Sequence, residues 1–206
     1  MPKCIIWDFD GVILDSLAVR DYGFREILRE FDSARIEELI AYHQRNGGLS
    51  RFHKIAYFFD EILHQPISSD EVARYATRFS EIMRRELSSP KYLIRDSLEF
   101  IERWHETMCF HIASGSEHSE LNFLCQSLGI AKYFRSIHGS PTPKTDLVAQ
   151  ILSQNPYEPR DYLLIGDSIN DYEAARANAI AFYGYNNPSL RNLGEGYIES
   201  FRDFAI

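Results

Sequence analysis

Asp8 and Asp10 stand two residues apart where a short apolar run, Lys3 to Phe9, gives way to Gly11. In an extended chain that spacing turns both carboxylates to one side. Two carboxylates so close repel, so one takes up a proton or a cation sits between them. The pair suits a nucleophile with an acid/base partner, Asp8 in the first role and Asp10 in the second. A strand closed by an Asp-Gly turn is the plain alternative.

Three further groups end apolar runs in the same way. Ile112-Ala113 leads into Ser114-Gly115-Ser116-Glu117. Ser114 and Glu117 have the spacing of a helix-capping box, and a hydroxyl beside free backbone N–H groups at a helix start also suits a phosphate. Ser140-Pro141-Thr142-Pro143-Lys144 follows, with Thr142 expected as N-cap and Pro143 as the first helical residue. Lys144 then falls in the first turn, where the helix dipole disfavours a cation by about 0.3–1 kcal/mol. An anionic partner would resolve that conflict. The last group is Gly166-Asp167-Ser168-Ile169-Asn170-Asp171, whose two acids fit a helix start as caps. Each group alone has a local explanation. Together, Asp8, Asp10, Asp167 and Asp171 around one lysine call for a hard divalent cation, and all-oxygen ligation points to Mg²⁺.

The elements that must carry these residues follow from the periodicity. Apolar runs at 3–9, 108–113, 133–138, 162–165 and 179–183 read as strands. The last four follow helical stretches at 96–105, 117–128, 144–153 and 170–178. That alternation predicts an α/β fold with a Rossmann-like parallel sheet, and ligands gather beyond the carboxyl ends of such strands. Residues 20–31, 34–45, 51–63 and 70–87 repeat apolar positions at helical spacing without a strand between them, which predicts an inserted all-helical domain. The expected division is residues 1–15 and 92–206 for the α/β core and 16–91 for the helical cap. The tail from Asn186 is weakly patterned.

Charge supports that division. The chain of 206 residues carries 22 basic and 30 acidic groups, a net charge of −8. Residues 16–91 hold 12 of each, so the whole excess lies outside them. The balance disfavours nucleic acid. No apolar run approaches the roughly 18 residues of a membrane span, and the first residues do not read as a signal peptide. The cytoplasm is the expected compartment. Three cysteines, an odd number without metal-ligand spacing, agree.

With these motifs in order, the sequence resembles the haloacid dehalogenase-like hydrolases, in the group whose helical cap follows the first strand. The likeness rests on Asp8 to Ser16, Ser114-Gly115, Lys144 and Gly166 to Asp171. It implies that Asp8 attacks phosphorus and forms an aspartyl-phosphate. Asp10 would protonate the leaving alkoxide and then activate water. Mg²⁺ would be held by Asp8, the Asp10 main-chain carbonyl and Asp167, with Asp171 nearby. Ser114, Gly115 and Lys144 would hold the phosphoryl oxygens. The chain departs from the pattern in two places: Pro143 precedes the lysine rather than following it, and Asn178-Ala179 stands where relatives carry Ala-Gly.

Retention of Asp10 argues against relatives that cleave carbon–halogen or carbon–phosphorus bonds. Gly166 before Asp167 favours hydrolysis over a phosphomutase acting on a sugar phosphate. A non-catalytic phosphate-binding module is the other alternative. The expected substrate is a small phosphorylated metabolite, because a cap over the site excludes bulky polymers and water; a monomer is expected. Within the cap, Gly47-Gly48-Leu49-Ser50-Arg51 permits a tight loop reaching the site. Arg51, with Lys54, is the candidate for the substrate's distal group, and a plain helix connection is the alternative. Trp7 and Tyr57-Phe58-Phe59 read as core.

Overall fold

A computed structural model describes residues 2–204; positions 1, 205 and 206 of the expected core lie outside it. Six strands form one parallel sheet: β1 (Cys4–Trp7), β2 (Cys109–Glu117), β3 (Ser136–Ser140), β4 (Tyr162–Gly166), β5 (Ala181–Tyr185) and β6 (Gly196–Ile198). Their spatial order is β3-β2-β1-β4-β5-β6, and every neighbouring pair is parallel. β1 lies between β2 and β4. The chain therefore reverses its lateral direction at β1, and the crevice beside β1 and β4 is the topological switch point where ligands bind in such sheets. All four residues of β1 are buried, as a strand covered on both faces requires.

Four helices stand between β1 and β2: α1 (Leu17–Ile27), α2 (Ser33–Arg45), α3 (Arg51–Tyr57) and α4 (Ser69–Leu87). Local chemistry fixes their starts. The Asp32 carboxylate accepts from the Ala34 and Arg35 amides, and Ser68 with Glu71 closes a capping box on α4, each cap worth about 1 kcal/mol. The expected helix 51–63 is divided: α3 ends at Tyr57 and a π-helical turn spans Phe58–Ile62. That turn carries Phe58 and Phe59 edge-on to Phe31. The remaining helices are α5 (Arg95–Trp104), α6 (His118–Ser127), α7 (Lys144–Ser153) and α8 (Ile169–Ala177).

One apolar cluster runs from the sheet into the four inserted helices and includes Trp7, Phe9, Phe24, Phe58 and Phe79, all fully buried. Burying such a side chain stabilises by about 1.5–3 kcal/mol. Trp7 packs against Phe100, Phe110 and Phe201, which ties the weakly patterned tail to the sheet. A second cluster on the other face holds Ile6, Leu147, Val148 and Leu164. Short β6 lies in that tail, with too few residues for alternation to reveal it.

The sheet also joins groups far apart in sequence. Cys4 and Cys109 are register partners, and the Cys109 sulfur lies 3.1 Å from His111 Nε2. These three ligand-type atoms sit within 4.8 Å of one another, wholly buried. Linear spacing could not show it.

Candidate active site

β1 delivers Asp8, whose amide donates to the Ile165 carbonyl of β4 at 2.9 Å. The chain then leaves the sheet in a tight turn in which the Ile13 and Leu14 amides both donate to the Phe9 carbonyl. Gly11 occupies this turn at φ +75°, and a Cβ there would lie 2.0 Å from Asp167 Oδ2. Glycine is thus required both by the left-handed backbone and by the carboxylate pressed against it.

Three carboxylates meet at the switch point. Asp8 from the end of β1, Asp167 from the end of β4 and Asp171 from the first turn of α8 each offer an oxygen within 4.8 Å of the others. Lys144 opens α7 and sends its ammonium to Asp8 Oδ1 at 2.8 Å and to Asp171 Oδ1. The helix therefore starts one residue later than expected, with extended Pro143 rather than Thr142 before it, and the anionic partner of its first-turn cation is this cluster. Asp171 is also a cap: its Oδ2 accepts from the Ser168 amide at 3.0 Å and hydroxyl at 2.7 Å.

The cluster is electrically unbalanced, with three carboxylates around one ammonium. Burial and the neighbouring Asp171 push Asp8 up to about 7, against the pull of Lys144. Burial, Asp8 and Asp171 push Asp167 well above the usual carboxylate range. Burial opposes the charge on Lys144, but Asp171 and Asp8 outweigh it and hold the ammonium firmly protonated. An all-oxygen donor set with excess negative charge fits a hard divalent cation.

Asp10 is placed differently from expectation. The four-carboxylate convergence is corrected to three, because the Asp10 carboxylate is taken by other partners. Its Oδ1 accepts from Arg20 Nε at 2.6 Å and from the Ser16 hydroxyl, and its Oδ2 from the Ser116 hydroxyl at 2.5 Å. Burial would raise its pKa, but Arg20, Ser116 and Ser16 together hold Asp10 below the usual range.

The expected capping box at Ser114 is also corrected. β2 continues to Glu117, and Glu117 itself caps α6 by accepting from the Ser119 and Glu120 amides. The buried Ser114 hydroxyl accepts from the Ser116 amide at 3.1 Å. Gly115 faces the cap: a Cβ on it would lie 2.4 Å from the Gly48 carbonyl oxygen. A Cβ on Gly48 would lie 2.7 Å from Cβ of Asn170. The Gly47-Gly48 loop therefore rests on the ends of β2 and β4 at a closeness that side chains would prevent. Clefts of about 440 and 360 Å³ open on its two flanks, one reaching Asp167 and the other Lys144.

Arg51 is not free in this arrangement. It is buried and grips Glu120 of α6 with both terminal nitrogens, Nη2 to Oε1 at 2.9 Å, while Nη1 donates to Ser80 at 2.6 Å. Arg20 Nη1 reaches the same Glu120 at 3.2 Å. A continuous buried series, Asp10–Arg20–Glu120–Arg51, thus joins the inserted helices to the sheet domain. Sequence reasoning gave no role to Ser16, Arg20, Ser116 or Glu120. Ser16 stood within the Asp8-to-Ser16 motif, and Ser116 carried a signal, since it shares the period-2 face of Ser114; Arg20 and Glu120 lie within helical patterns that explain them fully.

The sequence profile of the haloacid dehalogenase-like hydrolases matches residues 2–178. Phosphoglycolate phosphatase 1 of Pseudomonas aeruginosa is 26% identical over 218 residues, covering 98% of this chain and 78% of that protein. The fructose-1-phosphate phosphatase YqaB of Escherichia coli is 25% identical over 181 residues, covering 84% and 90%. Among solved structures, the magnesium-bound hydrolase YfnB of Bacillus subtilis superposes with a TM-score of 0.73 at 13% identity, covering 98% of this chain and 96% of that one.

Proposed function

This chain belongs to the haloacid dehalogenase-like hydrolase family, and from that premise we propose that it is a phosphoric monoester hydrolase acting on a small soluble phosphomonoester. The observation that carries this reading is the Lys144 ammonium bonded to Asp8 and Asp171 beside Asp167, at the carboxyl ends of β1 and β4. Phosphoryl transfer needs mainly positioning and charge stabilisation, and these groups supply both. The two curated relatives, a phosphoglycolate and a fructose-1-phosphate phosphatase, support the substrate class.

Asp8 is the nucleophile: its carboxylate oxygen bonds to phosphorus as the ester oxygen leaves, giving an aspartyl-phosphate. Asp10 gives its proton to that oxygen, then takes one from the water that attacks phosphorus and frees Asp8. The ionised state that Arg20 and Ser116 impose on Asp10 suits the second half-reaction. The first requires Asp10 to swing towards the carboxylate cluster, where neighbouring negative charge favours its protonated form. Ser114, Gly115 and Lys144 hold the phosphoryl oxygens. Asp8, Asp167, Asp171 and the Asp10 main-chain carbonyl would hold Mg²⁺, which when bound neutralises the phosphoryl group for approach by an anionic nucleophile.

The helical cap spans residues 16–91 and the core the remainder, with the Gly47-Gly48 loop closing over the site and limiting substrate size. Among the described residues no helix is long and apolar enough to cross a membrane, and three free buried thiols fit the cytoplasm. The test is release of phosphate from p-nitrophenyl phosphate with Mg²⁺. The wild type turns over and Asp8→Asn does not, although its circular dichroism and melting stay native. Retained turnover in Asp8→Asn removes the assignment of the nucleophile; no turnover by the wild type with any of a broad ester panel removes the function.

A further inference from the structure

Cys4 opens β1 and Cys109 opens β2, at the opposite ends of these strands from Asp8 and Ser114. The two cysteines are register partners in an apolar layer with Ala113, Leu147 and Ile151. Both thiols and the His111 ring are buried. Cys109 Sγ lies 3.1 Å from His111 Nε2, and the two sulfurs and a ring nitrogen all fall within 4.8 Å of one another. The other ring nitrogen, Nδ1, bonds the Ser136 hydroxyl of β3 at 2.7 Å, and that hydroxyl meets His138 Nε2 at 2.8 Å. When Nδ1–H donates to Ser136 and Ser136 donates to His138, Nε2 turns its lone pair towards the thiols. Metal-ligating histidines are held in this way, through the nitrogen that does not bind the metal. A second observation is independent of the histidine. Tyr162, register partner of Cys4, brings onto the same face a fully buried hydroxyl that no protein group satisfies.

We propose that Cys4, Cys109 and His111 form a second metal site, which takes Zn²⁺ and ties β1 to β2 at the end of the sheet away from the carboxylate cluster. Ligand chemistry separates the two sites: thiolate and imidazole select a soft or borderline cation, whereas the all-oxygen cluster selects a hard one. Charge favours zinc over a monovalent soft ion. Binding sends the two thiol protons to solvent, and two thiolates then neutralise one divalent cation, so the complex needs no counter-ion in an apolar layer where a net charge is costly. The distances suit it. With Zn–S of about 2.3 Å and Zn–N of about 2.0–2.1 Å, a tetrahedral ion sets sulfur and nitrogen about 3.6 Å apart, so the Cys109–His111 contact opens by only about half an ångström. Three protein ligands leave a tetrahedral ion one position short, and the Tyr162 hydroxyl is an unsatisfied oxygen on that face. Exposed Lys3 and Thr107 stand just before the two cysteines in the chain, which places the site close beneath the surface.

The test titrates Co²⁺, a coloured stand-in for Zn²⁺, into the reduced, metal-free protein in excess Mg²⁺. Cobalt held by carboxylates gives no sulfur-to-metal charge-transfer band, so the band reads the thiol site alone. The wild type develops that band together with the intense visible absorption of tetrahedral cobalt, saturating at one ion per chain, and Zn²⁺ displaces both. Asp167→Asn and Cys125→Ala keep the signal. Cys4→Ala and Cys109→Ala each lose most of it. His111→Gln leaves both thiols in place and shifts the visible bands. Ser136→Ala keeps the band and weakens Zn²⁺ binding about tenfold or more, as loss of a group that orients a ligating histidine does. Zn²⁺ raises the Tm of the wild type and not of the cysteine variants. A wild type without the charge-transfer band overturns the site whatever the variants do. So does a band that survives Cys4→Ala or Cys109→Ala, or one that Cys125→Ala abolishes. Phosphate release is no part of these readouts, so the phosphatase reading stands or falls separately.

Discussion

Lys144 Nζ lies 2.8 Å from Asp8 Oδ1 and bonds Asp171 with the same ammonium. The lysine comes from the start of a helix whose dipole disfavours it, and the aspartate from the end of the central strand. Each stabilises the other's charge in a site that water barely reaches. Asp167 completes the acidic group without a salt bridge of its own among the described residues, and burial, reinforced by the neighbouring carboxylates, raises the pKa values of Asp8 and Asp167.

Glu120 holds two arginines from inside the protein, and removing it leaves both short of a counter-ion. Glu120→Leu lowers stability by about 3–5 kcal/mol, seen as a fall in Tm of roughly 10 °C at this chain length. Adding Arg51→Met to Glu120→Leu recovers part of the loss. Equal Tm values for the single variant and the wild type would show that the pair is not buried as described.

Gly48 leaves no room for a side chain against Asn170. Gly48→Ala lifts the cap loop off the sheet and lowers kcat/KM about tenfold or more, because small displacements of positioning elements are costly. The hydrophobic clusters lie elsewhere, so Tm changes by no more than a few degrees. Undiminished turnover would mean that the loop does not close over the site during reaction.

Burial, then Arg20, pulls Lys54 down from 10.5 to about 7. Between pH 7 and 10.5 the unfolded chain therefore binds more protons at this lysine than the folded one. Stability from this group rises with pH across that window, and the penalty is full below pH 7. Lys54→Met removes the penalty, so its stability relative to wild type is greatest at or below pH 7 and declines towards pH 10. Urea unfolding midpoints at pH 6.5, 8 and 9.5 read the trend. A constant difference at all three would show that Lys54 titrates normally.

Much of this was legible in the sequence because strand ends carry short, polar interruptions of apolar runs. Asp8, Asp167, Asp171 and Lys144 each break such a run, and the parallel βαβ pattern alone sends them to one end of the sheet. Asp10 was legible as a carboxylate but not as the partner of Arg20, because that contact joins a strand end to a helix whose own periodicity already accounts for the arginine. The Arg51–Glu120 pair was hidden for the same reason: 69 positions separate two residues that look solvent-facing. Where β2 ends could not be read either, since Ser114 and Glu117 mimic a cap while the cap is Glu117 alone.

The most direct test titrates Mg²⁺ into the metal-free protein and the Asp167→Asn variant by calorimetry, with phosphate release followed in parallel. One Mg²⁺ is expected to bind each wild-type chain, with phosphate release silenced by EDTA and restored by Mg²⁺. Asp167→Asn is expected to lose both the binding heat and the turnover while melting as a folded protein. Equal Mg²⁺ affinity in the two proteins, or undiminished turnover in EDTA, would contradict the central claim that Asp8, Asp167 and Asp171 are gathered around a divalent cation.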